Sequence, residues 1–147
     1  MRRDDWAWIQ EWYTDPVLDR ELGPLDEDWL EFVLADHDGA QLVVEEDGEP
    51  VALVGVAWGH DALPHAITDL AVAPERRREG LGRRVVHAVQ GGERIPEERA
   101  WEAYVDPGNA PAAAFFLSIG WSPLGLDDGM LTFRDERPGP VVAPSPA

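Results

Sequence analysis

The chain has 147 residues, with 29 acidic and 12 basic side chains, a net charge of −17 and no cysteine. That balance argues against nucleic acid or an anionic membrane as a partner, and the lack of cysteine removes a disulfide frame, a thiol nucleophile and a thiolate metal site. The length suits one domain able to bury roughly 70% of its unfolded surface, and the acidic surface either serves solubility, which composition alone favours, or attracts cationic substrates. The start, Met1-Arg2-Arg3-Asp4-Asp5, has no apolar signal segment, and no apolar run of about 18 residues exists. A soluble cytoplasmic protein is the expectation.

Asp4 or Asp5 can cap a first helix that carries Trp8/Trp12 and Ile9/Tyr13 as four-apart pairs, and Asp15-Pro16 reads as its end. A second helix begins near Asp26, where Asp26, Glu27 and Asp28 suit the positive end of its dipole, with Trp29, Leu30, Val33 and Leu34 as its apolar face. The early tryptophans read as aromatic helix faces packed on a sheet rather than as a substrate cage. Residues 41–44 and 51–58 read as a hairpin turning at Asp47-Gly48. The second run has no alternation, so its strand should be covered on both faces. Residues 66–73 form another apolar strand.

Next comes Arg76-Arg77-Arg78-Glu79-Gly80-Leu81-Gly82-Arg83-Arg84, which holds five of the twelve basic residues. Leu81, Val85 and Val89 then mark one face of a helix running to about Gly91-Gly92. A strand, a glycine turn and a helix start suit an anion, because glycines allow close approach and first-turn N–H groups lack partners within the helix. Residues 99–105 read as a strand, Asn109 opens the last helix and Gly120 ends it. A closing hairpin, residues 121–126 and 130–133, turns around Asp127-Asp128-Gly129. Residues 138–147, with four prolines in ten, read as a disordered tail after a domain of residues 1–137. The mixture implies an α/β domain of three layers with a mixed sheet.

The loop is neither a P-loop, which needs a lysine this chain lacks, nor the dinucleotide fingerprint, which would need glycine at Val85. Its Arg-x-x-Gly-x-Gly pattern, residues 77–82, resembles the pyrophosphate loop of the GNAT superfamily of CoA-dependent N-acetyltransferases. A second stretch, Asn109-Ala110-Pro111-Ala112-Ala113-Ala114-Phe115-Phe116-Leu117-Ser118-Ile119-Gly120-Trp121, is similar to that family's other signature. The resemblance spans residues 51–121. It implies a GNAT-like fold with a central sheet of six or seven strands, in which two parallel strands (residues 66–73 and 99–105) splay apart around acetyl-CoA. Only three residues precede the first helix, where the family has a strand, so that strand is short or missing.

The resemblance also implies roles for residues. Backbone N–H groups from Arg78 to Arg83, including Gly80, Leu81 and Gly82, would face the pyrophosphate, with Arg77, Arg78 and Arg83 nearby. Backbone groups of Leu70 and Val72 would pair with the pantetheine arm, and Asn109 would bond the cosubstrate or cap its helix, or both. Many relatives carry a tyrosine where Phe116 stands, and a phenyl ring packs against a thioester without donating a proton. Tyr104 could substitute as the acid, although it also reads as a core-edge tyrosine. Glu102, on the same strand face, is the leading base candidate; Asp69, His60, His65 and water stay open. Glu79, unexpected beside an anion, should point to solvent. The activity expected is N-acetyl transfer to a primary amine of a small cation or a protein N-terminus, without metal, nucleic acid or membrane; a homodimer stays open. The alternative is a GNAT-fold acyl-CoA-binding or regulatory module that has lost turnover.

Overall fold

The computed structural model describes residues 1–77 and 79–136; Arg78 and residues 137–147, which include the proline-rich stretch read as a tail, lie outside the described residues. A turn of 3-10 helix at Arg3–Asp5 leads into α1 (Trp6–Trp12), followed by α2 (Pro16–Leu22) and α3 (Glu27–Ala35). The hairpin β1 (Gly39–Glu46) and β2 (Glu49–Ala57) precedes β3 (His65–Val72), α4 (Leu81–Gln90) and β4 (Trp101–Val105). The chain continues through α5 (Ala110–Ser118) to the hairpin of β5 (Ser122–Asp127) and β6 (Met130–Asp135).

The sheet has six strands in the order β1-β2-β3-β4-β6-β5. All neighbours are antiparallel except β3 and β4, which run parallel. Both hairpins turn through Asp-Gly pairs at positive φ, Asp47 and Gly48 in one and Asp128 and Gly129 in the other, the twist a two-residue hairpin needs. One face of the sheet packs against α4 and α5 through Val85, Val86, Val89, Phe116 and Ile119. The other face packs against the N-terminal helices through Ile9, Leu18, Leu53 and Ala71, with Trp6, Trp8, Trp12 and Trp29 around them. β2 lies between the two layers, and residues 51–56 are buried throughout, as its unbroken apolar run predicts. The early tryptophans are packing residues: Trp6 stacks on Trp29 at 5.9 Å and Trp8 meets Trp12 at 4.6 Å.

α2 is absent from the sequence reading, which took Asp15-Pro16 only as a stop. The dipeptide also starts a helix. Asp15 accepts hydrogen bonds from the N–H groups of Val17 and Leu18, and Pro16 sits in the first turn, where a missing N–H costs nothing. This helix brings Val17, Leu18, Arg20, Glu21 and Leu22 to the wall of the cavity described next.

Candidate active site

β3 and β4 pair only at His65–Trp101, Ala66–Glu102 and Ile67–Ala103. Beyond that point β3 carries an extra residue against β2. Gly55 pairs with Asp69 and Val56 with Ile67, which leaves Thr68 unpaired in a bulge. A bulge bends its strand and re-aims the side chains that follow. Past it the two parallel strands part, and a cavity of about 940 Å³ opens, within the usual range for a small-molecule site. Thr68, Asp69, Leu70 and Val72 line it from β3 and Tyr104 and Val105 from β4. Among the described residues no strand lies beside the β4-facing edge of β3 from Thr68 to Val72.

One end of the cavity is the start of α4. Gly80, its N-cap, has φ +71, and a Cβ there would meet nothing within 4 Å, so conformation alone selects glycine at that position. Gly82 is set by packing, because a Cβ there would lie 2.7 Å from Cε1 of Phe115 on α5. The α4 start and Asn109 both line the cavity. Asn109 Oδ1 accepts from Ala112 N at 3.2 Å and so caps α5, which leaves its amide N–H groups to donate elsewhere.

The arginines of this stretch are largely matched by carboxylates. Arg77 is gripped at two points by Asp15, at 2.6 and 3.2 Å. Arg76 pairs with Glu46 at 3.2 Å and Glu79 at 3.3 Å, and Arg84 pairs with Glu46 at 3.0 Å. The hydrogen bond from Arg84 holds the Glu46 carboxyl below its ordinary range. Glu79 is exposed, as expected, and also pairs with Arg76. Arg83 is exposed and makes no ion pair among the described residues. For an incoming anion the site therefore offers chiefly backbone N–H groups and Arg83.

Asp69 also lines the cavity. Its carboxylate lies directly over Gly55, where an added Cβ would be 1.9 Å from Oδ1. Thr68 Oγ1 donates to it at 3.0 Å, and the Gln41 side chain and Gly55 N–H also donate. Burial pushes its pKa up, against the pull of those three hydrogen bonds. The Tyr13 hydroxyl is pushed up as well, by burial first and then by the charge of Asp69.

Tyr104 donates from its hydroxyl to Glu102 Oε2 at 3.1 Å, and burial, followed by that bond, raises its pKa. Glu102 is 8% exposed and is also held by Arg134 at 2.8 Å, so it meets the cavity through Tyr104. Phe116 is buried in the aromatic core, 5.1 Å from Trp121 and 5.8 Å from Phe133, with one side on the cavity. His65 is fully buried; Nδ1 accepts from Gly59 N at 2.8 Å and Nε2 donates to the Glu97 carbonyl at 2.6 Å. Both ring nitrogens thus fix loops. His60 is exposed beside Asp61.

The structure brings the glycine loop, Asn109, Phe116, Leu70, Val72 and Tyr104 to one cavity and leaves both histidines outside it. Sequence reasoning missed Asp15 and the fit of Asp69 over Gly55. An Asp-Pro pair before apolar residues was a legible helix start. The contact between strand residues 55 and 69 depends on a bulge that leaves no sequence signal. Among the described residues no group of His, Asp and Glu could hold a metal ion, and no helix is long and apolar enough to cross a membrane.

Residues 4–121 match the family model described as the acetyltransferase (GNAT) family. No curated protein matches the chain. Among solved structures, it is similar to an acetyltransferase from Thermus thermophilus, with 21% identity and a TM-score of 0.73 over 91% of each chain. The aminoglycoside acetyltransferase AAC(6')-Ib in complex with coenzyme A gives 21% and 0.73, over 93% of this chain and 92% of that one. The NatB acetyltransferase complex bound to a bisubstrate inhibitor gives 13% and 0.66, over 92% and 87%. At these identities the likeness shows a shared fold.

Proposed function

From membership of the GNAT acetyltransferase family, to which this chain belongs, we propose that the protein transfers an acetyl group from acetyl-CoA to a primary amine of a small cationic molecule or a protein N-terminus. One observation carries this reading: one cavity between parted parallel strands is lined both by a glycine-opened helix start and by the Asp69 carboxyl, whose pKa is raised. Bound acetyl-CoA supplies the acetyl thioester. The N–H groups at the start of α4, with Arg77 and Arg83 nearby, hold the pyrophosphate. The unpaired edge of β3 at Leu70 and Val72 holds the pantetheine arm, Asn109 donates to it, and Phe116 packs beside the thioester.

An amine arrives as an ammonium and must lose a proton before it attacks. Asp69 attracts the cation and takes that proton, and its raised pKa makes it a stronger base than an ordinary aspartate. Glu102 and Tyr104 form a second proton-holding pair at the splay. Tyr104 turns its hydroxyl from Glu102 toward the departing sulfur, and Arg134 holds the Glu102 carboxylate in place behind it. The surface charge of −17 concentrates cationic acceptors around the site.

A second reading, an acyl-CoA-binding module with little or no turnover, is favoured by one observation. Phe116 carries no hydroxyl, and the Tyr104 proton is directed at Glu102 rather than into the cavity. Release of free thiol from acetyl-CoA across a panel of diamines, aminoglycosides, amino-acid amides and peptides separates the two. The chain has no cysteine to contribute background. Amine-dependent thiol release supports the transferase; CoA binding with no release for any amine supports the module; no CoA binding at millimolar concentration overturns both.

A further inference from the structure

The Asp15 carboxylate works in two directions. Oδ2 accepts from the N–H groups of Val17 and Leu18, both at 3.1 Å, and so caps α2. The same carboxylate binds Nη1 of Arg77 at 3.2 Å and Nη2 at 2.6 Å. Arg77 opens the glycine loop and lines the cavity together with Val17 and Leu18 of α2. Arg76 and Arg84 behave differently, because their partners Glu46 and Glu79 lie on the hairpin and on the loop itself. Asp15–Arg77 is thus the ion pair that ties the N-terminal helices to the loop. A guanidinium held at two points by a carboxylate offers the same fork to phosphate oxygens.

Building on the acetyltransferase reading, we propose that Asp15 is a positioning residue: it occupies Arg77 in the manner of a phosphate, and yields it to the pyrophosphate of incoming acyl-CoA, which unlatches α2 from the loop and admits the acceptor. The cap on α2 survives this exchange, since the bonds to Val17 and Leu18 do not involve Arg77. The hydrogen bond from Arg77, which holds the Asp15 carboxyl below its ordinary range, keeps the pair charged at neutral pH. A carboxylate serving only to steady Arg77 for the ligand would predict the opposite sign of effect on CoA affinity.

Calorimetric CoA affinity of the full chain, for the wild type, Asp15→Asn, Arg77→Ala and the double variant, tests this. Asparagine keeps an oxygen to cap α2 and loses the charge that competes for Arg77. Asp15→Asn should bind CoA about two- to fivefold tighter, the range expected when a partly exposed ion pair no longer has to be broken. The gain should vanish in the Arg77→Ala background and shrink as salt is raised. Amide exchange in α2 should rise on adding CoA to the wild type, and should already be high without CoA in Arg77→Gln, which leaves the cap untouched. Equal or weaker CoA binding by Asp15→Asn, or unchanged α2 exchange in Arg77→Gln, overturns the latch while the acetyltransferase reading stands. If none of the proteins binds CoA, that reading fails and the latch with it.

Discussion

Asp69 is accommodated because residue 55 has no side chain, and its place on the cavity wall with a raised pKa is what makes it the base of the proposed transfer. Asp69→Asn should remove amine acetylation by about 10²–10⁴-fold in kcat/KM, the usual contribution of a positioned base, with CoA affinity unchanged. The pH profile of the wild type should show an acid limb above the ordinary aspartate range of about 4, because the base must be ionised and burial raises its pKa. The sign for stability is the reverse. The native state favours the protonated carboxyl, so stability is lost as pH rises from the unfolded pKa through the raised native one. Asp69→Asn should therefore melt no lower than the wild type at neutral pH, and its relative advantage should shrink toward about pH 4. A lower melting temperature at neutral pH with full activity would show Asp69 to be structural. At the acid position, Tyr104→Phe should lower kcat without changing CoA affinity. Phe116→Tyr restores the hydroxyl that many relatives carry, at nearly the same volume, and should raise kcat only modestly if Tyr104 already serves. Unchanged kcat in Tyr104→Phe would mean the sulfur leaves unassisted or with water.

The two glycines at the start of α4 are required for different reasons, and the variants should differ accordingly. Gly80→Val forces a β-branched residue to φ +71 in open space; it should cost about 1–2 kcal/mol of stability and distort the N–H groups that face the anion. Gly82→Val drives a side chain into the Phe115 ring, so it should part α4 from α5 and weaken CoA binding from the packing side. Arg77→Ala should cost less affinity than either, since the backbone is the main contact in the proposed binding mode and Arg77 starts out engaged by Asp15. Near-normal binding by both glycine variants, with binding lost in Arg77→Ala, would sink the backbone argument. Gly80 and Asn109 were legible in sequence because each answers to a local rule, a left-handed residue and a cap, whereas the packing of Gly82 against Phe115 was not. β1–β2, β5–β6 and α4 were legible through Asp-Gly turns and periodicity. α2 was hidden because Asp15-Pro16 serves as stop and start at once. Asp69 was visible only as one carboxylate among several, because its distinction comes from a bulge at Thr68 and from contact with a residue fourteen positions earlier. The ion pairs that neutralise the arginine stretch were equally hidden, since Asp15 and Glu46 reach it only through the tertiary fold.

Over the whole molecule, a net charge of −17 sets an acidic surface against the anionic cosubstrate of the proposed reaction. Long-range repulsion should slow the approach of CoA, whereas contacts at the start of α4 would involve desolvated N–H groups that salt screens little. CoA should therefore bind with an association rate that increases as salt is first added, the opposite of a nucleic-acid-binding protein, while a cationic acceptor should associate more slowly. Binding to the native state alone raises stability by mass action, about 2.7 kcal/mol at ligand 100-fold above its dissociation constant. For a chain of this length that shifts the melting temperature by on the order of 10 °C. Adenosine diphosphate and pantetheine, each filling part of the cavity, should give smaller shifts, and together should fall short of intact CoA because the linkage between them is lost. A shift with CoA that persists in Asp69→Asn and Tyr104→Phe but falls in Gly80→Val would locate binding at the loop and leave those two residues free for chemistry. If melting does not move with CoA at millimolar concentration and both fragments are silent, the cavity between β3 and β4 does not bind CoA, and the acetyltransferase mechanism drawn from it is wrong for this chain.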